Sequence, residues 1–211
     1  MSTRFIFRAS LLVSALLAVP AFAESLYSGM ELLSNRAKAL TAQTLPETQR
    51  LSDAGDLDAT TVLGFAYVVG SGGLPIDYPK AVALFKDAGS HGHVFAQLMV
   101  ASMYLDGSSL KADAPESVRW LRMAAEQRNT EAFYMLGAIL RRGEEGVAAD
   151  SLEAYKWARL AVLTTNNDEK RKAFDLNVRF IAEDLNADQI ARGEELAKTW
   201  LASHEAKTSS K

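Results

Sequence analysis

The chain has 211 residues, of which 48% are hydrophobic and 23% are charged, a balance that excludes a disordered chain and a multi-span membrane protein. Its 26 acidic and 23 basic residues give a net charge of −3, which argues against nucleic acid as a partner because phosphate binding needs a basic surface. The chain has no cysteine, and this excludes disulfides, thiolate zinc sites and catalytic thiols.

Residues 1–23 have the three regions of a secretory signal peptide. The first eight residues carry two arginines and no acid, residues 11–19 are almost purely aliphatic, and small residues precede a cleavage point after Ala23. The aliphatic run is about half of the ~20 residues that a membrane-spanning helix needs. We therefore expect an exported protein, periplasmic if the source is a Gram-negative bacterium, with no integral membrane segment after cleavage. Glu24 stands where a lipoprotein would carry cysteine, so the mature protein is expected to be soluble and without a lipid anchor.

Residues 24–58 have the pattern of a helical cap or a degenerate repeat. One helix is predicted over about residues 26–42, and Pro46 suits the first turn of a second helix. The terminal repeats of an array must show a polar face to water, so divergence from the repeat pattern is expected here.

Residues 59–168 contain three copies of one pattern. The copies span residues 59–95, 96–131 and 132–168. They align on three alanines at spacings of 37 and 36 residues: Ala59, Ala96 and Ala132. The other matching columns are small residues (Gly64, Ala101, Gly137), Tyr67, Tyr104 and Leu140, glycines (Gly70, Gly107, Gly143), aspartates (Asp77, Asp113, Asp150) and alanines (Ala88, Ala124, Ala161).

Each column suits one position in a pair of helices. The apolar residues of the first half fall on one face of a helix, here called helix A. The small residue lets a second helix approach the helix A backbone closely, and the glycine suits the left-handed residue that ends a helix. The aspartate suits the N-cap of the second helix, helix B.

The repeat reads Ala-x3-Leu-Gly-x2-Tyr-x2-Gly and then Asp-x3-Ala-x3-Phe-x2-Ala, and it resembles the Sel1-like repeat family, which is tetratricopeptide-like. Ala101 and Leu140 depart from the family pattern. The resemblance, with a period of 36 to 37 residues, implies an all-α fold: a right-handed α-solenoid of helix-turn-helix repeats with helical caps.

Residues 169–204 are predicted to form a C-terminal helical cap. One helix is expected over residues 170–184, and Asn186 with Gln189 suits the start of a last helix that ends at about Ser203. Residues 205–211 are expected to be a frayed tail.

The residues that could carry chemistry have a structural explanation in each case. His91 and His93 flank a glycine in a turn, without further ligands at helical spacing, and His93 occupies the N-cap slot of a helix. Ser108 and Lys111 match a Ser-x-x-Lys pattern, but its companion motifs are missing. No catalytic residue, metal site or cofactor is therefore predicted, and the protein is not expected to be an enzyme.

A concave groove lined by the A helices is the usual binding surface of a solenoid. The face of helix A away from its core columns is apolar in two repeats and then aromatic and basic. The partner-binding residues that we assign to it are Phe65, Val68, Leu98, Leu105, Tyr134, Arg141 and Arg142. The alternative is that neighbouring repeats bury most of them. If the stripe is exposed, replacing Tyr134 and Arg141 by alanine should weaken partner binding without unfolding the chain.

Three functions remain open. The resemblance implies a non-catalytic exported scaffold or adaptor that binds an envelope or secreted protein. Some exported Sel1-like proteins instead neutralise delivered toxic lipases, so a periplasmic immunity protein is the alternative. An enzyme or a peptidoglycan-binding module is the third. The protein partner itself cannot be named from the residues.

Overall fold

The fold is that of a computed structural model, which describes residues 32, 35–107 and 109–208, with side chains as far as residue 205. The predicted signal peptide (residues 1–23), residues 26–31, 33 and 34 of the first predicted cap helix, and Ser108 lie outside these residues. In the described part of that cap the helix ends at residue 38, not at about residue 42 as predicted. Among the described residues no helix has the length and apolar character needed to cross a membrane.

The described part of the chain is helical, without a strand. A helical turn at residues 35–38 precedes nine longer helices. These are α1 (Leu45–Asp53), α2 (Leu57–Val69), α3 (Tyr78–Ser90), α4 (Val94–Asp106), α5 (Ala114–Glu126), α6 (Thr130–Arg142), α7 (Ser151–Thr164), α8 (Asp168–Ala182) and α9 (Ala187–Thr208). The predicted all-α fold is confirmed.

The helices stack as a solenoid of pairs. Helices α2, α4 and α6 are the A helices, and they pack on the B helices α3, α5 and α7 respectively. Each B helix also packs on the A helix that follows it, and α1 covers the outer side of α2. Each repeat thus shares its apolar surface with its neighbours, which is how a solenoid builds a continuous core.

The predicted caps of the B helices are confirmed. The side chain of Asp77 accepts a hydrogen bond of 2.9 Å from the backbone N–H three residues on. Asp113 and Asp150 do the same at 3.0 and 2.8 Å. A cap of this kind satisfies one of the N–H groups that a helix start leaves unpaired.

The close approach predicted at the small-residue column is also present. A Cβ atom placed on Gly64 would lie 2.8 Å from the ring of Phe85 in α3. A Cβ atom on Gly137 would lie 3.2 Å from the carbonyl oxygen of Ala154 and 3.4 Å from the backbone N of Ala158 in α7. A side chain at Gly64 would meet a core ring and one at Gly137 would crowd a helix backbone, so the two helices approach each other closely at both glycines.

The A helices are buried on all sides. In α2, ten consecutive residues from Ala59 to Val68 are buried, and α4 and α6 are nearly as enclosed. A helix that is apolar all round is the kind that a core encloses completely. Helix A therefore has no open face in the first two repeats, whereas in α6 Ala138 is only partly buried and Arg142 is exposed.

The C-terminal cap has one expected and one unexpected feature. Asn186 and Gln189 exchange reciprocal hydrogen bonds of 2.9 Å at the start of α9, as predicted. The helix then continues to Thr208, beyond the predicted end at Ser203, so the first part of the predicted tail is helical. Helix α8 packs on α7, as the A helix of a fourth repeat would. Helix α9 does not take the place of a B helix on α8, because it packs on α7 as well.

Replacing Ser117 by alanine should raise the free energy of unfolding by about 1 kcal/mol, because an unsatisfied buried polar group costs about 1–3 kcal/mol. Ser117 is fully buried in α5, and its hydroxyl has no hydrogen-bond partner among the described residues. The same column holds buried alanines, Ala81 and Ala154, in the other repeats. Urea unfolding measures the change, and a clear loss of stability would show that the hydroxyl is satisfied.

Candidate protein-interaction surface

The apolar residues assigned to the groove are buried, so the expectation of an exposed apolar stripe is wrong. Their exposed fractions are 4% for Phe65, 9% for Val68, 4% for Leu98, 7% for Leu105 and 4% for Tyr134. The alternative, that neighbouring repeats enclose these side chains, describes the structure.

Aromatic contacts between units explain the burial of Phe65 and Tyr134. The ring of Phe65 lies 6.0 Å from that of Phe95 at the start of α4. The ring of Tyr134 in α6 lies 5.3 Å from that of Phe174 in α8, and burial raises the pKa of Tyr134 to about 12. Replacing Tyr134 by alanine would open a cavity between α6 and α8, so it should lower stability rather than leave the fold intact.

The two arginines of the predicted site have different environments. The guanidinium of Arg141 lies 3.5 Å above the ring of Phe180, and its Nε donates a hydrogen bond of 2.7 Å to Asp184. Through these two contacts Arg141 joins α6 to the end of α8, and they leave only 17% of its side chain exposed. Arg142 is exposed, and it alone among the seven predicted residues presents an exposed side chain.

A column of cations on the B helices was not singled out from the sequence. Lys86, Arg122 and Arg159 recur at spacings of 36 and 37 residues, and each reaches the following unit. Lys86 Nζ donates to the hydroxyl of Tyr104 at 2.8 Å, and Arg122 Nη2 donates to Glu153 at 2.9 Å. The Nε of Arg159 lies 2.6 Å from a carboxylate oxygen of Glu194 in α9. The repeat spacing itself was the signal that could have identified these contacts between units.

Glu153 is the centre of one of these contacts. Burial raises the pKa of its carboxyl, but the hydrogen bond and charge of Arg122, the hydrogen bond from Trp157 and the charge of Lys156 outweigh that effect, so the pKa is lowered overall. Burial lowers the pKa of Lys156, although the neighbouring Glu153 opposes the shift. The ionised form of Glu153 is therefore favoured in the folded chain.

Replacing Glu153 by glutamine should destabilise the protein at pH 7 but not in acid. A carboxyl whose pKa is lower in the folded state contributes stability above its ordinary pKa of 4.5, and this contribution is lost as the pH falls through the folded value. Urea unfolding at pH 7 and at pH 3 should therefore show a difference between wild type and variant that shrinks in acid. The same substitution at the exposed Glu145 is the control, and a difference independent of pH would contradict the assignment.

Two histidines, His93 and His204, join neighbouring helices. His93 Nδ1 accepts a hydrogen bond of 3.1 Å from the backbone N–H of Ala96, so it caps α4 as predicted, and its Nε2 lies 3.0 Å from Asp58. The ring of His204 stacks on Trp200 at 3.7 Å, and its Nε2 lies 2.8 Å from Glu126. No group of three or more histidine and carboxylate residues suited to a metal occurs within the described ranges.

The outer face of α8 is the exposed apolar surface of this end of the solenoid. Leu176 and Phe180 lie one turn apart and are 65% and 54% exposed. Leu176 lies between an ion pair of Glu169 and Lys172 (2.7 Å) and the exposed Arg179, and Phe180 directly follows that arginine. Large side chains exposed together on one face are what an interaction site presents.

Comparison with known proteins places the chain in one family. The Sel1 repeat profile matches residues 57–93, 94–129 and 130–163, and each match begins two residues before the corresponding repeat aligned on alanine. Protein SHC1 from two strains of Saccharomyces cerevisiae is similar. One is 29% identical over 150 residues, covering 65% of this chain and 29% of the relative. The other is 32% identical over 134 residues, covering 62% of this chain and 25% of the relative. The chain thus spans less than a third of these relatives.

Two solved structures share the solenoid. A Sel1 repeat protein from Oxalobacter formigenes is 29% identical, with a TM-score of 0.56 over 63% of this chain and 98% of the other. The protein c5321, a protective antigen of uropathogenic Escherichia coli strains with an SLR fold, is 21% identical, with a TM-score of 0.54 over 77% of this chain and 41% of the other. The second likeness shows the fold alone. Because the three matched repeats cover about half of its residues, the chain belongs to the Sel1 repeat family.

Proposed function

We propose that the protein is a non-catalytic exported scaffold that binds another protein on the surface of its solenoid. Sel1 repeats are commonly protein–protein interaction scaffolds, and the Sel1 solenoid is typically non-catalytic. The observation that carries the proposal is the continuous stack of three repeats, which offers an extended surface for a partner.

The polar residues of the repeats cap helices and join neighbouring units, and these structural roles support a scaffold. The aspartates, His93 and Asn129 cap helices, and the B-helix cations reach from one unit to the next. A catalytic site needs a base, a nucleophile or an anion-stabilising group directed at one point. Here the polar side chains are distributed along the array at the repeat spacing, which suits assembly and recognition.

The exported location rests on residues 1–23 and needs a test of its own. Cell fractionation followed by N-terminal sequencing of the purified protein should find a periplasmic chain that begins at Glu24. A cytoplasmic chain that retains Met1 would contradict export.

In-cell crosslinking followed by mass spectrometry tests the scaffold function. A regulator or an assembly component recovered at a stoichiometric level supports a scaffold. One abundant toxin-like protein, together with protection of cells that express this chain, would instead support the periplasmic immunity function. Recovery of no protein partner, or turnover of a small molecule by the purified chain, would contradict both functions.

A further inference from the structure

The outer face of α8 is the face that other A helices bury against the next repeat. Counted from its N-cap, Leu176 occupies the column of Phe65 and Ser102, which are buried in α2 and α4, and of Ala138, which is partly buried in α6. Helix α9 packs on α7 and leaves this face of α8 exposed, as Leu176 and Phe180 show. The repeat geometry therefore defines what would cover the face, namely another helix lying along α8.

The contact between α6 and α8 shows how such a helix docks. Near the start of the two helices, Lys170 Nζ of α8 donates a hydrogen bond of 2.7 Å to Glu131 of α6. Past the aromatic contact at the middle of the helices, Arg141 of α6 contacts Phe180 and Asp184. From N- to C-terminus, the receiving helix α6 thus presents an acid and then an arginine. The docked helix α8 presents a base, then apolar residues, and then an acid just past its end.

The outer face of α8 repeats the charge order of the outer face of α6. Glu169 and Arg179 lie 38 residues after Glu131 and Arg141, so they hold the same columns of the repeat. Two positions lie between these charges. Leu176 stands 38 residues after Ala138 and is exposed, and Lys172 stands 38 residues after Tyr134 and pairs with Glu169 at 2.7 Å. The acid, the arginine and one apolar position of a receiving face are therefore present, while the column of the buried Tyr134 carries a lysine in α8.

We propose that the outer face of α8 docks an amphipathic helix of a partner protein, lying parallel to α8. That helix carries a basic residue in its first turn, apolar residues along its centre and an acidic residue near its C-terminus. The proposal rests on the scaffold function and names its site and the chemistry of its partner. Leu176 and the part of the Phe180 ring that Arg141 does not cover would supply the apolar contact of a helix laid along this face, and Glu169 and Arg179 would fix its direction.

A second copy of this chain fits the face less well. A two-fold axis would pair the α8 helices in antiparallel orientation, and Glu169 meets Arg179 only when the pair is centred on position 174. That register sets Leu176 opposite Lys172 and Phe180 opposite Asp168. The apolar side chains would then face charges, whereas a partner helix of the stated pattern matches both features.

A photo-crosslinking amino acid placed at position 176 of the full chain, in the cells that make it, tests the proposal. The same probe at Ile76, which is 59% exposed at the other end of the array, is the control. We expect position 176 to crosslink to a peptide of another protein that has the stated order of base, apolar residues and acid. Replacing Phe180 by aspartate should lower the yield at least tenfold, and reversing both charges with Glu169→Lys and Arg179→Glu should lower it about fivefold.

The other outcomes separate the two proposals. Crosslinks from position 176 to this chain's own peptides would overturn the partner helix in favour of self-association. Crosslinks to another protein from Ile76 but not from position 176, or to a peptide without the stated order, would overturn the α8 site and leave the scaffold function intact. Absence of partner protein from both positions and from whole-surface crosslinking would overturn both. Circular dichroism of the Phe180→Asp chain establishes that a loss of yield is not unfolding.

Discussion

Replacing Phe85 by alanine lowers the free energy of unfolding by about 3–5 kcal/mol, the usual cost of removing a buried aromatic side chain. Phe85 is fully buried in α3, and its ring packs edge-on against Phe65 at 5.2 Å. At about 2–4 °C per kcal/mol for a chain of this size, the melting temperature falls by roughly 10 °C. Thermal and urea unfolding followed by circular dichroism measure the loss.

Gly64 provides a second readout that depends on the same contact. In the wild-type chain, Gly64→Ala puts a Cβ atom 2.8 Å from the Phe85 ring, and overpacking of this kind costs about 1–3 kcal/mol. In the Phe85→Ala chain the ring is gone, so the new methyl group fills part of the cavity and alanine gains about 1 kcal/mol of helix propensity over glycine.

The effect of Gly64→Ala should therefore change sign between the two backgrounds. The four chains of this double-mutant cycle are compared by their urea midpoints and slopes, because a solenoid can unfold in parts and the slope reveals such a loss of cooperativity. An equal effect of Gly64→Ala in both backgrounds would show that the two helices do not meet at this glycine.

Replacing Trp200 by alanine releases the C-terminal half of α9 from the solenoid. The ring of Trp200 lies 5.2 Å from that of Phe133 and 5.9 Å from that of Trp157, and both of those residues are buried. Because Trp200 itself is only partly buried, we expect the free energy of unfolding to fall by about 2–3 kcal/mol, less than for a fully enclosed tryptophan. The stacked ring of His204 loses its support as well.

Tryptophan fluorescence distinguishes undocking of α9 from a general loss of stability. The remaining tryptophans, Trp120 and Trp157, are 4% and 2% exposed, so release of α9 should shift the emission of the native protein to longer wavelength as Trp157 gains contact with water. Thr199→Ala, at an exposed position of the same helix, should leave the emission unchanged. If the emission of the folded Trp200→Ala chain stays at the short wavelength of buried tryptophan, the proposed role of Trp200 in docking α9 is wrong.

The helix pairs and their caps could be predicted because each depends on residues close together in the chain. An aspartate three residues before a free N–H, or a glycine at a left-handed position, acts within one turn. The predicted groove failed because its side chains lie in the same columns as contacts to the next repeat. An apolar outer face at Phe65, Leu98 and Tyr134 is the sign of a helix enclosed on all sides, not of an open groove.

The sequence alone determined the family, the period, the ends of most helices and the close approach at Gly64 and Gly137, since spacing and residue size decide these. The export signal stays a prediction from residues 1–23. Only the tertiary structure decided which faces reach water. Burial depends on which helix lies alongside, and α9 packs on α7, covers Trp157 and leaves Leu176 on α8 exposed. That choice is made by ring contacts around Trp200, between residues far apart in the chain, so no local pattern carries it.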